Sequence, residues 1–346
     1  MNISEYIKKL SHSPLYNSSL SSKELFHSNF FAWLLGEYPK LVFPVLTGEE
    51  LKSELKCLRE KNNYDLQIQA NGKIYIIENK VKSIPTEDQL LKIRNSVSEE
   101  TNLILITFSD IKLNYQIDSK WKVLNYSDIL FGFKRIKTTN SYHRGLLADY
   151  CDFTETMLEI LDFALKEEIY DFYWHKDSIL HRLEMIKLHS LILNYGASRL
   201  RYFLHNYFAD KISSDLFTLR TNFGINNGNA TIDVYLEFSN FCIGIQLENN
   251  QYRKYLECIS RASKTEDIAS KLKKQNIWFS DDWLSNKRKM EFCYYNRKKE
   301  SVPTFVYQYN IINDLLTFDR LAMRIHNSLN EIMNNNDFYQ IIRSNV

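Results

Sequence analysis

Asp65-Leu66-Gln67-Ile68-Gln69-Ala70-Asn71-Gly72-Lys73-Ile74-Tyr75-Ile76-Ile77-Glu78-Asn79-Lys80 reads as strand, tight turn, strand. Asn-Gly is the strongest short-range hairpin signal, because a two-residue turn needs positive φ at both central positions. A loop made of Asn71-Gly72 pairs Ala70 with Lys73, and the register that follows sets Asp65 opposite Glu78. The Cβ atoms of such a pair lie roughly 4.5–5.5 Å apart. Like charges facing each other across a ladder destabilise a sheet, and a divalent cation is an economical compensation. The side-chain period of two puts Lys80 on the face of Glu78, with Ile74 and Ile76, while Tyr75 and Ile77 take the other face. Such a strand is covered on both sides, and charges that end a covered strand need a reason. The alternative reading is a structural ion pair on a solvent-facing side.

Outward from the hairpin, residues 21–35 carry Leu25, Phe26, Phe30, Phe31, Trp33, Leu34 and Leu35 at helical spacing after serines able to cap. Residues 86–96 predict a helix, 103–108 a buried strand, 121–125 another strand and 127–133 a helix. The order is α, β, β, α, β, β, α. From about residue 150 the pattern turns helical, over 153–165 and 179–208. A second hairpin, 230–238 with 241–247 through Ser239-Asn240, sets Asp233 opposite Gln246 and puts Glu248 where a lysine would be needed, so no equivalent metal pair survives. A C-terminal helix is expected near 311–333. The expected organisation is a core over 1–149, followed by a mostly helical region over 150–346 with a small β-hairpin or sheet.

Asp65, Ile77-Glu78-Asn79-Lys80-Val81, Asp88-Gln89-Leu90, Ile106-Thr107 and Leu124-Asn125-Tyr126-Ser127-Asp128-Ile129, preceded by Glu24-Leu25-Phe26-His27-Ser28 and Trp33-Leu34-Leu35, form an ordered set. Over about residues 21–133 this set resembles the PD-(D/E)XK nuclease superfamily, in a bacterial branch of uncharacterised members. The resemblance implies an α/β restriction-endonuclease-like core, αββ(β)αβ, with a mixed sheet flanked by helices. It implies that Asp65, Glu78, the backbone carbonyl of Asn79 and Glu24 bind Mg²⁺ or Mn²⁺. Lys80 would orient or deprotonate the attacking water, and Gln89 would contact the phosphate or orient the site, giving metal-assisted phosphodiester hydrolysis. Two features depart from the pattern. Tyr64 stands where the family's proline would precede Asp65, and Ile93 stands where related nucleases carry a tyrosine. Ser21-Ser22-Lys23-Glu24 also fits a capping box, in which Glu24 bonds back to the helix start. A lone histidine such as His27 is more often a packed residue than a catalytic one.

The 346 residues include 44 Lys+Arg against 42 Asp+Glu and are 44% hydrophobic and 25% charged, which excludes disorder and fibrous repeats. The first ten residues lack an apolar signal region, and the five cysteines are odd in number, scattered and without a C-x-x-C pair. Together these predict a cytoplasmic protein with no membrane partner. Positive charge collects late: residues 251–300 hold 13 Lys+Arg and 7 Asp+Glu, and 151–200 hold 5 and 9. Within the later segment Lys287, Arg288, Lys289, Arg297, Lys298 and Lys299 interleave with aromatics, a mixture that suits a nucleic-acid groove or, equally, a solvated amphipathic surface. The resemblance implies a nuclease, expected to act on DNA ahead of RNA, and it alone raises defence against foreign DNA as one setting; a homodimer or an activating protein partner is compatible with it. The rivals are a catalytically silent binding module derived from a nuclease and an RNA- or nucleotide-directed phosphodiesterase.

Overall fold

A computed structural model of the protein describes residues 3–19, 23–113, 115–171, 178–258, 265–280, 292–295 and 304–345. Ser21 and Ser22 of the capping-box reading lie outside these residues, and so do Lys287, Arg288, Lys289, Arg297, Lys298 and Lys299. The chain divides into two compact units, one formed by Met1–Lys166 with His181–Tyr195 and the other by Glu167–Leu180 with Gly196–Val346.

The first unit opens with four helices, α1 (Ile3–His12), α2 (Pro14–Ser19), α3 (Lys23–Glu37) and α4 (Pro39–Thr47). Strands β1 (Lys56–Arg59), β2 (Leu66–Ala70) and β3 (Lys73–Lys80) follow, then helix α5 (Glu87–Ser96). The unit continues through β4 (Asn102–Thr107), β5 (Trp121–Asn125), α6 (Tyr126–Phe133) and α7 (Ser141–Ala164). The sheet runs β1-β2-β3-β4-β5, antiparallel from β1 to β3 and parallel from β3 to β5. Asn71 and Gly72 have φ of 54° and 73°, the double left-handed geometry of the expected turn. The register follows as read, Ala70 with Lys73 through Leu66 with Ile77. On one face Ile76, Leu103 and Leu105 meet Leu90 and Ile93 of α5 and Trp121 in a buried cluster. The other face meets α3 and α6. β3 is therefore covered on both sides along its last six residues, as its apolar alternation requires. Helix α6 starts on a capping box in which Asn125 accepts from the Asp128 amide and Asp128 reaches back.

The second unit corrects the expectation of a mostly helical region with a small sheet. After β6 (Ile169–Tyr170), and after α8 (Ile179–Glu184) and α9 (His189–Ala209), whose stretch His181–Tyr195 belongs to the first unit, the chain forms β7 (Thr218–Asn226), β8 (Asn229–Glu237), β9 (Phe241–Glu248) and β10 (Gln251–Cys258). Next come α10 (Thr265–Lys274), β11 (Cys293–Tyr295), β12 (Phe305–Ile311), β13 (Leu316–Thr317), α11 (Phe318–Met333) and α12 (Asn336–Asn345). Six of these strands build one antiparallel sheet in the order β11-β12-β10-β9-β8-β7. The reason is local: Asn227-Gly228, with φ of 48° and 81°, joins β7 to β8, and Asn249, with φ 56°, turns β9 into β10. Residues 311–333 are likewise not one helix. β12 runs to Ile311, and α11 starts only after Thr317, whose hydroxyl caps Arg320. Asp233 does face Gln246 as read, and the Gln246 amide donates to Asp233 at 2.8 Å. Arg253 of β10 pairs with Glu248 and donates to Gln246. This hairpin runs straight into a third antiparallel strand, unlike β2–β3, which feeds a helix and a parallel strand.

Candidate active site at the end of the first hairpin

The hairpin delivers Asp65, Glu78 and Lys80 to one end of β3. Glu78 and Lys80 are two residues apart and so share the α5 face; their ion pair closes at 2.7 Å, with side chains 5% and 10% exposed. Gln89 joins from α5. Thr86 caps that helix by accepting from the Gln89 amide, which fixes Gln89 in the first turn, and its Nε2 donates to Glu78 Oε1 at 2.7 Å. Asp65 lies just before β2, and its Oδ2 accepts from the Asn79 amide at 2.7 Å. In a regular strand the N–H and C=O of one residue point to the same side, so the Asn79 carbonyl also turns toward Asp65.

Asn79 points to the opposite face and is fully buried. Its amide nitrogen donates to Ser28 Oγ at 3.1 Å and its oxygen accepts from Tyr126 at 2.9 Å. Ser28 in turn donates to the Glu24 carbonyl. Glu24 reaches the segment after β3: its Oε1 accepts from the amides of Val81 (3.2 Å), Lys82 (3.2 Å) and Ser83 (3.0 Å) and from the Ser83 hydroxyl (2.7 Å). Lys82 donates to the Lys187 carbonyl at 2.7 Å. His27 packs between Tyr126, Tyr150 and Phe153 and shares a 2.7 Å hydrogen bond with Tyr150. Burial, aided by the Lys82 charge, holds His27 down to about 3, so it stays neutral and takes a packing role. Ile93 sits in the core beneath α5.

The electrostatics shift Asp65 and Glu78 in the same direction. Burial raises Asp65 above the ordinary carboxylate range; the Asn79 amide and Lys80 oppose it, and the Glu24 charge adds to it. Burial also raises Glu78, with Lys80 opposing and Asp65 adding. A buried ion pair recovers little of its own desolvation cost, and losing one partner costs about 3–5 kcal/mol. Lys80 and Glu78 are therefore poor stabilisers of this fold, and like charges placed beside them raise the cost further. Such a concentration of cost is characteristic of working sites.

Among the described residues no group of three or more His, Cys, Asp or Glu side chains makes a metal cage. The donors at the hairpin end nonetheless suit a hard cation. Magnesium keeps several waters and is held through one or two carboxylates rather than a full protein cage. Among the described residues, the protein hydrogen bonds of each carboxylate go to one oxygen, Oδ2 of Asp65 and Oε1 of Glu78, which leaves the other oxygen for a ligand. A cleft of about 410 Å³, lined by Glu49, Tyr75, Asn102, Lys120 and Lys122 among others, lies at the opposite end of β3. Its lysines are engaged by Glu99 and by the Thr47 carbonyl.

Sequence reasoning named Asp65, Glu78, Asn79, Lys80, Gln89 and Glu24, and the structure brings all six into this neighbourhood. It missed Ser83, whose only signal is its place in the polar turn Lys82-Ser83 before Pro85 and the Thr86 cap. No family model matches the chain, and neither a curated protein nor a solved structure is significantly similar to it.

Proposed function

We propose that this protein is a metal-dependent nuclease that hydrolyses phosphodiester bonds, with DNA ahead of RNA as substrate. The observation that carries the reading is the buried Lys80–Glu78 pair beside Asp65, in which two carboxylates that burial holds above the ordinary range each keep one oxygen clear of donors among the described residues. Bound there, Mg²⁺ or Mn²⁺ would supply charge neutralisation at the phosphoryl oxygens. The Asn79 amide fixes one Asp65 oxygen and so aims the other. Gln89 and Lys80 do the same for Glu78. The Lys80 ammonium, held at the mouth of the pair, would orient a water for in-line attack and balance charge growing on the phosphate. Closing the strand end under α5 excludes bulk water, which strengthens each of these interactions.

The test is cleavage of plasmid, linear duplex, single-stranded DNA and RNA with Mg²⁺ or Mn²⁺, comparing wild type with Lys80→Ala, Glu78→Ala and an EDTA control. Loss of one oxyanion-stabilising or metal-holding group should cost about 10²–10³ in kcat. Circular dichroism checks that the variants fold. Metal-dependent cutting lost in both variants is the expected result. No cutting together with no calorimetric binding of either cation would leave the binding module as the better reading.

A further inference from the structure

We propose that Glu24 is a positioning residue, an anion that gathers the strap 81–83 and thereby sets Lys80, rather than a third ligand for the cation. The inference rests on the nuclease reading for what Lys80 does, and on geometry for how Lys80 is held. Three successive backbone amides turned toward one point form an anion nest, and here the anion is Glu24 Oε1, with the Ser83 hydroxyl as a fourth donor. Asp65 and Glu78 carry charge that burial penalises and a cation would relieve. Glu24 differs in the number of donors that meet it, four on Oε1 against one on Asp65 and two on Glu78. A carboxylate so placed binds the chain after β3.

Glu24 and Ser28 lie one turn apart on α3, so they project from the same side of the helix. Ser28 accepts from the Asn79 amide nitrogen, while Glu24 takes 81–83. The residues on both sides of Lys80 are thus tied to one helix. The Lys80 carbonyl accepts from Phe108 at the end of β4. With its flanks and its carbonyl held, the Lys80 side chain is left to point at Glu78. The strap carries the grip onward, since Lys82 reaches the Lys187 carbonyl.

Glutamine and alanine at position 24 separate the two roles. Glu24→Gln keeps an oxygen that accepts the same donors and loses the charge; Glu24→Ala loses both. Amide hydrogen exchange read on peptides spanning 79–85 reports the strap directly, without cation or substrate. The expected outcome is fast exchange in Glu24→Ala and near wild-type protection in Glu24→Gln. In cleavage, Glu24→Ala should lower kcat about 10–100-fold, the usual cost of losing a residue that orients a functional group, with KM and the metal requirement unchanged. Glu24→Gln should recover most of that loss, and Ser83→Ala should show a smaller loss of the same kind. Unchanged exchange in Glu24→Ala would overturn the proposal. So would a Glu24→Gln protein as inactive as the alanine variant and needing more Mg²⁺, since that would assign the work to charge. A wild-type protein that cuts nothing would count against the nuclease reading alone, because the exchange comparison still decides the grip.

Discussion

Asp65 and Glu78 are held where folding works against their charge. Both have folded-state proton affinity above the unfolded value, with burial as the first cause. Folding therefore takes up protons. The stability that this linkage contributes is fully present below the ordinary carboxylate range, near pH 4, and is lost as pH rises through the raised values. At neutral pH the metal-free protein thus carries two unfavourable carboxylates. Asp65→Asn keeps an oxygen for the Asn79 amide and removes one of those charges. It should raise the melting temperature of the metal-free protein by roughly 2–4 °C at pH 7, with the difference vanishing toward pH 4, while abolishing cleavage. Scanning calorimetry in EDTA across pH reads the first outcome, and an unchanged or lower melting temperature would contradict the assignment. The same sign governs activity: the acid limb of the rate profile should lie above the ordinary carboxylate range, because a cation competes with protons that these side chains hold more tightly than usual.

The β2–β3 hairpin is the element on which this depends, and its turn is the most demanding piece of backbone in it. Gly72 has φ 73° with open space where a side chain would go, so the cost of a substitution there is conformational rather than steric. Gly72→Ala should destabilise by about 1 kcal/mol and Gly72→Val by more, since a β-branched residue tolerates that region worst; urea unfolding measures both. Asn71 fits the turn and also ties it down, accepting from the Lys52 amide and donating to the Glu50 carbonyl. This turn was legible in the sequence because Asn-Gly between alternating strands has a single physical reading. The same dipeptide at Asn227-Gly228 marks β7–β8 and went unread, and the polar outer face of β7, with Arg220 and Asn222 exposed, hid the strand's alternation. β1 was hidden too: Lys56-Cys57-Leu58-Arg59 is four residues with only two apolar positions, and it holds its place through the neighbouring ladder and an Arg59–Asn29 hydrogen bond. In the site, residues on the hairpin could be placed by counting. Glu24 could be placed near the site but its partners could not, since 57 to 59 residues separate it from the strap it holds, and no periodicity reaches across that distance.

At the scale of the molecule, the first unit is discontinuous in sequence, because it takes back His181–Tyr195 after the chain has passed through Glu167–Leu180. The Tyr195 hydroxyl accepts from the amides of Phe108 (3.1 Å) and Ser109 (3.3 Å), and the Lys187 carbonyl takes Lys82. A fragment ending at residue 166 lacks these acceptors: the Phe108 amide keeps the Lys80 carbonyl, while the Ser109 amide loses the Tyr195 hydroxyl, a loss worth about 1–3 kcal/mol for a buried donor. Residues 1–166 should therefore melt lower and cleave more weakly than residues 1–209, which keep all of α9; equal melting temperatures by circular dichroism would show the returning segment to be dispensable. β3 itself stands where the sheet switches pairing, antiparallel to β2 on one side and parallel to β4 on the other. That position gives the chain something close to a reading frame. A length change between β4 and β5 leaves the alternation of β3 as it is, whereas one residue added or removed within β3 reverses every side chain beyond it. Glu78 and Lys80 would then face α3 and α6, and Asn79 would face α5. The chemistry of the site is thus specified as much by the parity of a residue count as by the identity of the residues.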